Sequence, residues 1–104
     1  MKAISVQGTE PNLLVKAVDS NIACIAIYIC NRGGTTATFD IYIVPAGSSP
    51  GDDETFFIVN QTLEPYDTFI LNMEKFLLEP GDAIYIKKYD ETSKISVQAS
   101  YAKF

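Results

Sequence analysis

Apolar and polar residues alternate along much of this chain with a period of two. Phe39, Ile41 and Ile43 are interleaved with Asp40 and Tyr42, and Ile95, Val97, Ala99 and Tyr101 with Ser96, Gln98 and Ser100. Successive side chains of a strand point to opposite faces, so each series predicts a strand with one apolar face. The closing strand should turn Ser96, Gln98 and Ser100 to solvent. Residues 22–30, "IACIAIYIC", are apolar throughout and predict a strand buried on both faces, with Ile25, Ile27 and Ile29 on one and Cys24, Ala26, Tyr28 and Cys30 on the other. Further strands are expected at 55–59, 67–71 and 83–87, and shorter ones around Ile4–Val6 and over 13–18. Turn formers separate them: Asn31-Arg32-Gly33-Gly34, Pro45-Ala46-Gly47 and the polar stretches 48–54 and 89–93. No segment carries a 3.6-residue period, although residues 72–77 could hold a single helical turn. The expectation is one domain over 1–104, an all-β antiparallel β-sandwich, jelly-roll-like or Ig-like, of about eight short strands.

One acidic phrase occurs twice. Leu63-Glu64-Pro65-Tyr66-Asp67 precedes "TFIL", and Leu78-Glu79-Pro80-Gly81-Asp82 precedes "AIYI". A pair of carboxylates, drawn from Glu64, Asp67, Glu79 and Asp82, could serve a hydrolase if they met across a cleft. The simpler reading is punctuation between strands. Pro presets φ, Gly81 tolerates a positive φ, the Asp caps turn amides, and Leu63 and Leu78 anchor each turn to the core. On this reading Asn31, Arg32, Gly33, Pro65, Asp67, Pro80, Gly81 and Asp82 are structural turn residues. Asp67 and Asp82 should then bond to nearby turn backbone.

Composition narrows the chemistry. The 104 residues include no His, which removes Ser-His-Asp and Cys-His nucleophiles and ordinary zinc sites. No phosphate-binding or dinucleotide fingerprint is present. The formal net charge is -5 with eight Lys and Arg, of which only Lys87 and Lys88 are adjacent, so neither nucleic acid nor an anionic membrane is an expected partner. The start of the chain lacks the apolar run of a secretory signal, and the nine apolar residues 22–30 fall short of the roughly 20 a membrane helix needs. A soluble protein made in a cytoplasm is expected. Cys24 and Cys30 on one strand would lie about 20 Å apart, beyond the roughly 7 Å a disulfide spans, and read as small buried hydrophobes. Asp52, Asp53 and Glu54 could collect calcium, but their spacing fits no defined loop, and a solvated acidic loop is the plainer reading. The six tyrosines could offer a sugar-stacking surface, with Tyr66 and Tyr89 foremost, although most would fill a sandwich core with hydroxyls reaching water. No cofactor and no catalytic residue is assigned.

The stretches "IYICNRGGTTATFDIYIVPAG", "TFFIVNQTLEPYDTFIL" and "LLEPGDAIYIK" resemble small virion proteins of tailed bacteriophages over Ile22 to Tyr101. Shared features are a strand ending in a Cys-Asn-Arg-Gly-like turn, a strand closing near Val-Pro-x-Gly, and a Gly-Asp pair before a late strand. A Pro-Gly-Asp before a strand also marks cupin-like jelly rolls, whose metal-binding members carry the His ligands absent here. The resemblance implies a non-enzymatic structural protein located in the virion and assembled in the host cytoplasm. Foremost is a capsid decoration (cement) protein whose partner is the major capsid protein. Alternatives are a tail, baseplate or fibre component. A carbohydrate-binding module is a rival from a different class. Homo-oligomers are compatible with the resemblance. Residues 1–12 precede the matching region and read as a docking arm. The other expected contact loops hold Ser48, Ser49, Asp52, Asp53 and Glu54, and Lys87, Lys88, Tyr89 and Asp90.

Overall fold

The computed structural model describes residues 2–103, without the side chains of residues 24, 25 and 73–76. Eight strands follow one another: β1 (Lys2–Ser5), β2 (Asn12–Lys16), β3 (Ile22–Asn31), β4 (Ala37–Val44), β5 (Phe56–Leu63), β6 (Thr68–Leu78), β7 (Ala83–Lys88) and β8 (Ile95–Lys103). They form two four-stranded sheets of order β1-β8-β3-β6 and β2-β7-β4-β5. Every pairing is antiparallel. The pairs β4–β5, β3–β6, β2–β7 and β1–β8 are the successive rungs of one long hairpin, rolled so that alternate rungs fall in opposite sheets. That is the topology of a jelly roll, and it excludes the Ig-like alternative.

The two inner faces close on an apolar core. Ile22, Ile27 and Ile29 of β3 and Ile95, Val97 and Ala99 of β8 meet Phe39 and Ile41 of β4 and Ile84 and Ile86 of β7. Phe39 and Phe69 join the sheets edge to face, ring centres 5.6 Å apart. The segment 95–99 alternates as its period requires, but β4 does not: its outward Asp40 and Tyr42 are buried as well, and Ile43 is only half-buried.

Three further sequence expectations change. β3 is not buried on both faces: Tyr28 is exposed on the outer side, while Ile27 and Ile29 are fully buried. Ile22 and Ile27 are an odd number of residues apart, yet both are buried. The register shifts between Cys24 and Ala26, and a bulge there switches the inward-facing set. Residues 72–77 hold no helical turn. They continue β6 to Leu78 as the partner of β3, because a strand whose ladder extends alongside β3 satisfies its amides without turning. Finally, residues 2–5 of the expected docking arm pair with β8 (Lys2 opposite Ala99, Ser5 opposite Ser96), and Val6 is buried.

Candidate functional site

The connections gather at the two ends of the sandwich. At one end, Asn31 closes β3 and is buried. Its Nδ2 donates to the carbonyls of Thr35 (2.7 Å), Leu63 (3.1 Å) and Glu64 (3.3 Å), while its Oδ1 accepts from the Gly33 amide (2.9 Å). The Asn31 amide donates to the Asp67 carbonyl, and that of Arg32 to the Lys94 carbonyl. One side chain thereby ties the β3–β4 connection to the β5–β6 turn. At the other end, the Asp82 carboxylate accepts the amides of Ala46 (3.0 Å) and Glu79 (3.0 Å), and Gly81 donates to the Ala17 carbonyl (2.7 Å). Three connections are stapled there.

The two acidic phrases are the same turn. In each, the Asp amide donates to the Glu carbonyl three residues earlier, at 3.1 Å for Asp67 and 2.9 Å for Asp82. In each, Pro is second and a residue of positive φ is third: Tyr66 at 61° and Gly81 at 98°. That is the type II pattern. The substitution of Tyr for Gly suggests two unlike backbones, but Tyr66 accepts the left-handed conformation and leaves its side chain 73% exposed. The Asp67 carboxylate caps the Thr68 amide (2.9 Å). The 11 residues of β6 stand between the turns. At about 3.3 Å per residue this places the two carboxylate pairs about 36 Å apart, against the 10 Å or so that a glycosidase pair allows.

The loop holding Ser48, Ser49, Asp52, Asp53 and Glu54 is built around its own polar groups. The Asp52 carboxylate accepts the Ser49 amide (2.9 Å), and Thr55, buried, donates its hydroxyl to the Asp52 carbonyl (2.7 Å). Ser48 reaches Glu54 (3.4 Å). Among the described residues, no group of three or more Cys, Asp or Glu is placed to hold a metal ion. This loop connects β4 to β5, whereas Lys87, Lys88, Tyr89 and Asp90 lie where β7 leads to β8, at the Asn31 end; the two sets do not converge. Asp90 caps Thr92 through amide and hydroxyl (2.9 and 2.8 Å), and those bonds, the amide's foremost, hold its carboxyl below the usual range. Cys30 is a half-buried free thiol, and the Cys24 side chain lies outside the described residues.

Most of the tyrosines do not fill the core: Tyr42 is buried and Tyr101 packs against the core cluster, but Tyr28, Tyr66 and Tyr89 are exposed. Tyr42 and Tyr85 instead join a row across the outer face of the second sheet: Leu13 of β2 opposes Tyr85 of β7, Tyr85 opposes Tyr42 of β4, and Tyr42 opposes Phe56 of β5. Tyr42 and Phe56 meet edge to face, centres 5.0 Å apart. Beside the row lies Asp40, only 2% exposed. Its carboxylate accepts the Tyr89 hydroxyl (2.7 Å), the Asn60 amide (2.8 Å) and the Tyr42 hydroxyl (3.1 Å). Asn60 reaches it because β5 bulges opposite Asp40: Phe39 pairs with Gln61 but Ile41 with Ile58, and Asn60 takes φ 59°. Burial first, then the bond to Asp40, pushes the Tyr42 hydroxyl up to about 12. For Tyr89 the bond to Asp40 leads, with the same result of about 12. Lys87, opposite Asp40 on β7, sits 5.0 Å over the Tyr89 ring. Sequence reasoning marked Lys87 and Tyr89 but missed Asp40, Tyr42 and Asn60. An acidic residue in an otherwise apolar strand was the available signal.

Each sheet ends in strands that ladder on one side only. β5 and β6, joined by the turn 64–67, border the same side of the sandwich, and each pairs with a single neighbour. β5, "FFIVNQTL", carries no charge and no proline. Val59 on β5 is 57% exposed and Ile70 on β6 is 62% exposed, with Phe56 and Leu77 also exposed. A monomer usually protects such an edge with charge, proline, a bulge or a covering loop, and of charge, proline and bulge β5 has only the bulge at Asn60. By fold the chain is a jelly-roll β-sandwich. No protein-family model matches it, and no curated protein matches it.

Proposed function

We propose that this protein is a non-enzymatic structural component of a bacteriophage particle, a capsid decoration (cement) protein that bridges and stabilises capsid subunits. The observation that carries the reading is the uncharged edge of β5 beside the edge of β6, with Val59 and Ile70 open to solvent. A strand that ladders with a single neighbour and carries exposed apolar side chains is a template for pairing with another chain. The sandwich itself supports the same reading. Its conspicuous acids, Asp67 and Asp82, hold turns, and the acidic phrases stand at opposite ends of a molecule 39 Å long. A non-catalytic scaffold with open edges suits an assembly that needs contact area. A tail, baseplate or fibre component would use the same features. The two differ in copy number, hundreds per particle for decoration and at most a few dozen for the others. Mass spectrometry of purified particles tests the proposal, and absence of the chain from them sinks it.

The aromatic row favours a second reading, a carbohydrate-binding module. Leu13, Tyr85 and Phe56 beside Lys87 and Tyr89 form a platform on which a sugar ring could stack. Glycan-array binding that is lost in Tyr89→Ala would support it, and no binding across a broad panel would discard it.

A further inference from the structure

A cleft of about 420 Å³ opens at the Asn31 end of the sandwich, where the β1–β2 segment, the end of β3 and the β7–β8 turn meet. We propose that this cleft binds an oxyanion, the carboxylate or phosphate group of a ligand or neighbouring chain. The inference is independent of the virion reading.

The argument starts from Lys88. It lines the cleft yet is only 6% exposed. Its ammonium donates to the carbonyls of Ser93 (2.6 Å) and Glu91 (3.3 Å), which uses two of its three N–H groups. Both partners are neutral dipoles, and no carboxylate bonds to it among the described residues. Asp90 is close enough to feel this charge but makes no bond to it, so the third N–H is left for an anion in the adjoining space. Two more cations line the same space. Arg32 is positioned by its bond to the Ser5 hydroxyl (3.2 Å), and its amide is tied to the Lys94 carbonyl (2.8 Å), which holds the two basic residues side by side. Ser5 accepts in that bond, so its own proton is free to be donated. Against these three cations the lining holds a single acid, Glu91. Asp90, nearby, already accepts two bonds from Thr92. The cleft is therefore positive on a protein whose net charge is -5. A guanidinium fork beside an ammonium and a hydroxyl suits a carboxylate or phosphate oxygen pair.

The test is an amide-resolved NMR titration of the full chain with inorganic phosphate and, separately, with acetate, ionic strength being held constant with sodium chloride. Binding of either probe should give saturable shifts at residues 5–7, 32 and 91–94. Phosphate alone would point to a phosphate-bearing ligand, and acetate as well to a carboxylate such as an acidic side chain of a neighbour. Arg32→Ala with Lys94→Ala should weaken binding by about tenfold or more, as expected for lost charge-assisted bonds. Both residues are exposed, so the fold should survive, and unchanged shifts elsewhere would show it. Shifts that never saturate, that spread over the surface, or that persist at equal strength in the double variant would overturn the proposal.

Discussion

At the scale of single residues, the two type II turns give a controlled comparison. Gly81 at φ 98° lies where an added Cβ would stand 2.6 Å from the Ala46 Cβ, and both atoms are fixed by backbone. Gly81→Ala should therefore cost roughly 2 kcal/mol or more, from the unfavourable φ together with the overlap. Tyr66→Gly should change stability by less than about 1 kcal/mol, because the gain in φ freedom offsets the lost ring contact. Denaturant midpoints of the two variants check both. The Asp40 cluster supplies a pH signature. Tyr42 and Tyr89 titrate near 12 in the fold against an ordinary value of 10.0. The unfolded chain loses these protons first, so the stabilisation is complete below pH 10 and is lost as pH rises toward 12. Tyr42→Phe should flatten that decline in a stability–pH profile, and tyrosinate absorbance should show two late-titrating groups in the wild type. The turn chemistry was legible in the sequence, but the assembly of the Asp40 cluster was not. Asp40 and Tyr89 are 49 positions apart, and the period of β4 marks Asp40 only as a residue on the outer face.

At the scale of elements, local pattern worked where a strand is regular and failed where it bulges. β8 alternates from Ile95 to Ala99, so its inward residues could be read directly, whereas β4 buries Asp40 and Tyr42 on its outer face as well. β3 carries an irregularity between Cys24 and Ala26, and an apolar run gives no phase from which to locate it. The length of β6 depends on pairing with β3, which no local window contains. β5 has an alternative signal, the absence of charge in "FFIVNQTL", which can be read in sequence but means something only once β5 is known to be an edge. Val59→Lys tests that meaning. At an exposed position it should alter stability by less than about 0.5 kcal/mol, while a charge on the free edge should abolish pairing with a partner strand. Co-sedimentation with undecorated particles measures the second effect. Binding equal to wild type would remove β5 from the docking surface.

At the scale of the whole molecule, the fold is one hairpin rolled up, and its outermost rung joins β1 to β8 across nearly the full length of the chain. The two-sheet class was readable from strand spacing. The rolled order was not, because the jelly-roll and Ig-like alternatives have similar strand counts and differ only in which turns cross between sheets. The outermost rung also fixes what the N-terminal segment does. Deleting residues 1–6 removes β1 and the buried Val6, and should lower stability by several kcal/mol, visible in thermal unfolding. A detachable docking arm would leave stability unchanged. The central claim, a structural role in a virus particle, is tested most directly by quantitative mass spectrometry of purified phage particles produced from a genome encoding this chain. The expected result is the intact chain at hundreds of copies per particle, in fixed ratio to the major capsid protein. Its absence from particles, with the chain recovered only in the soluble host lysate, would contradict the claim.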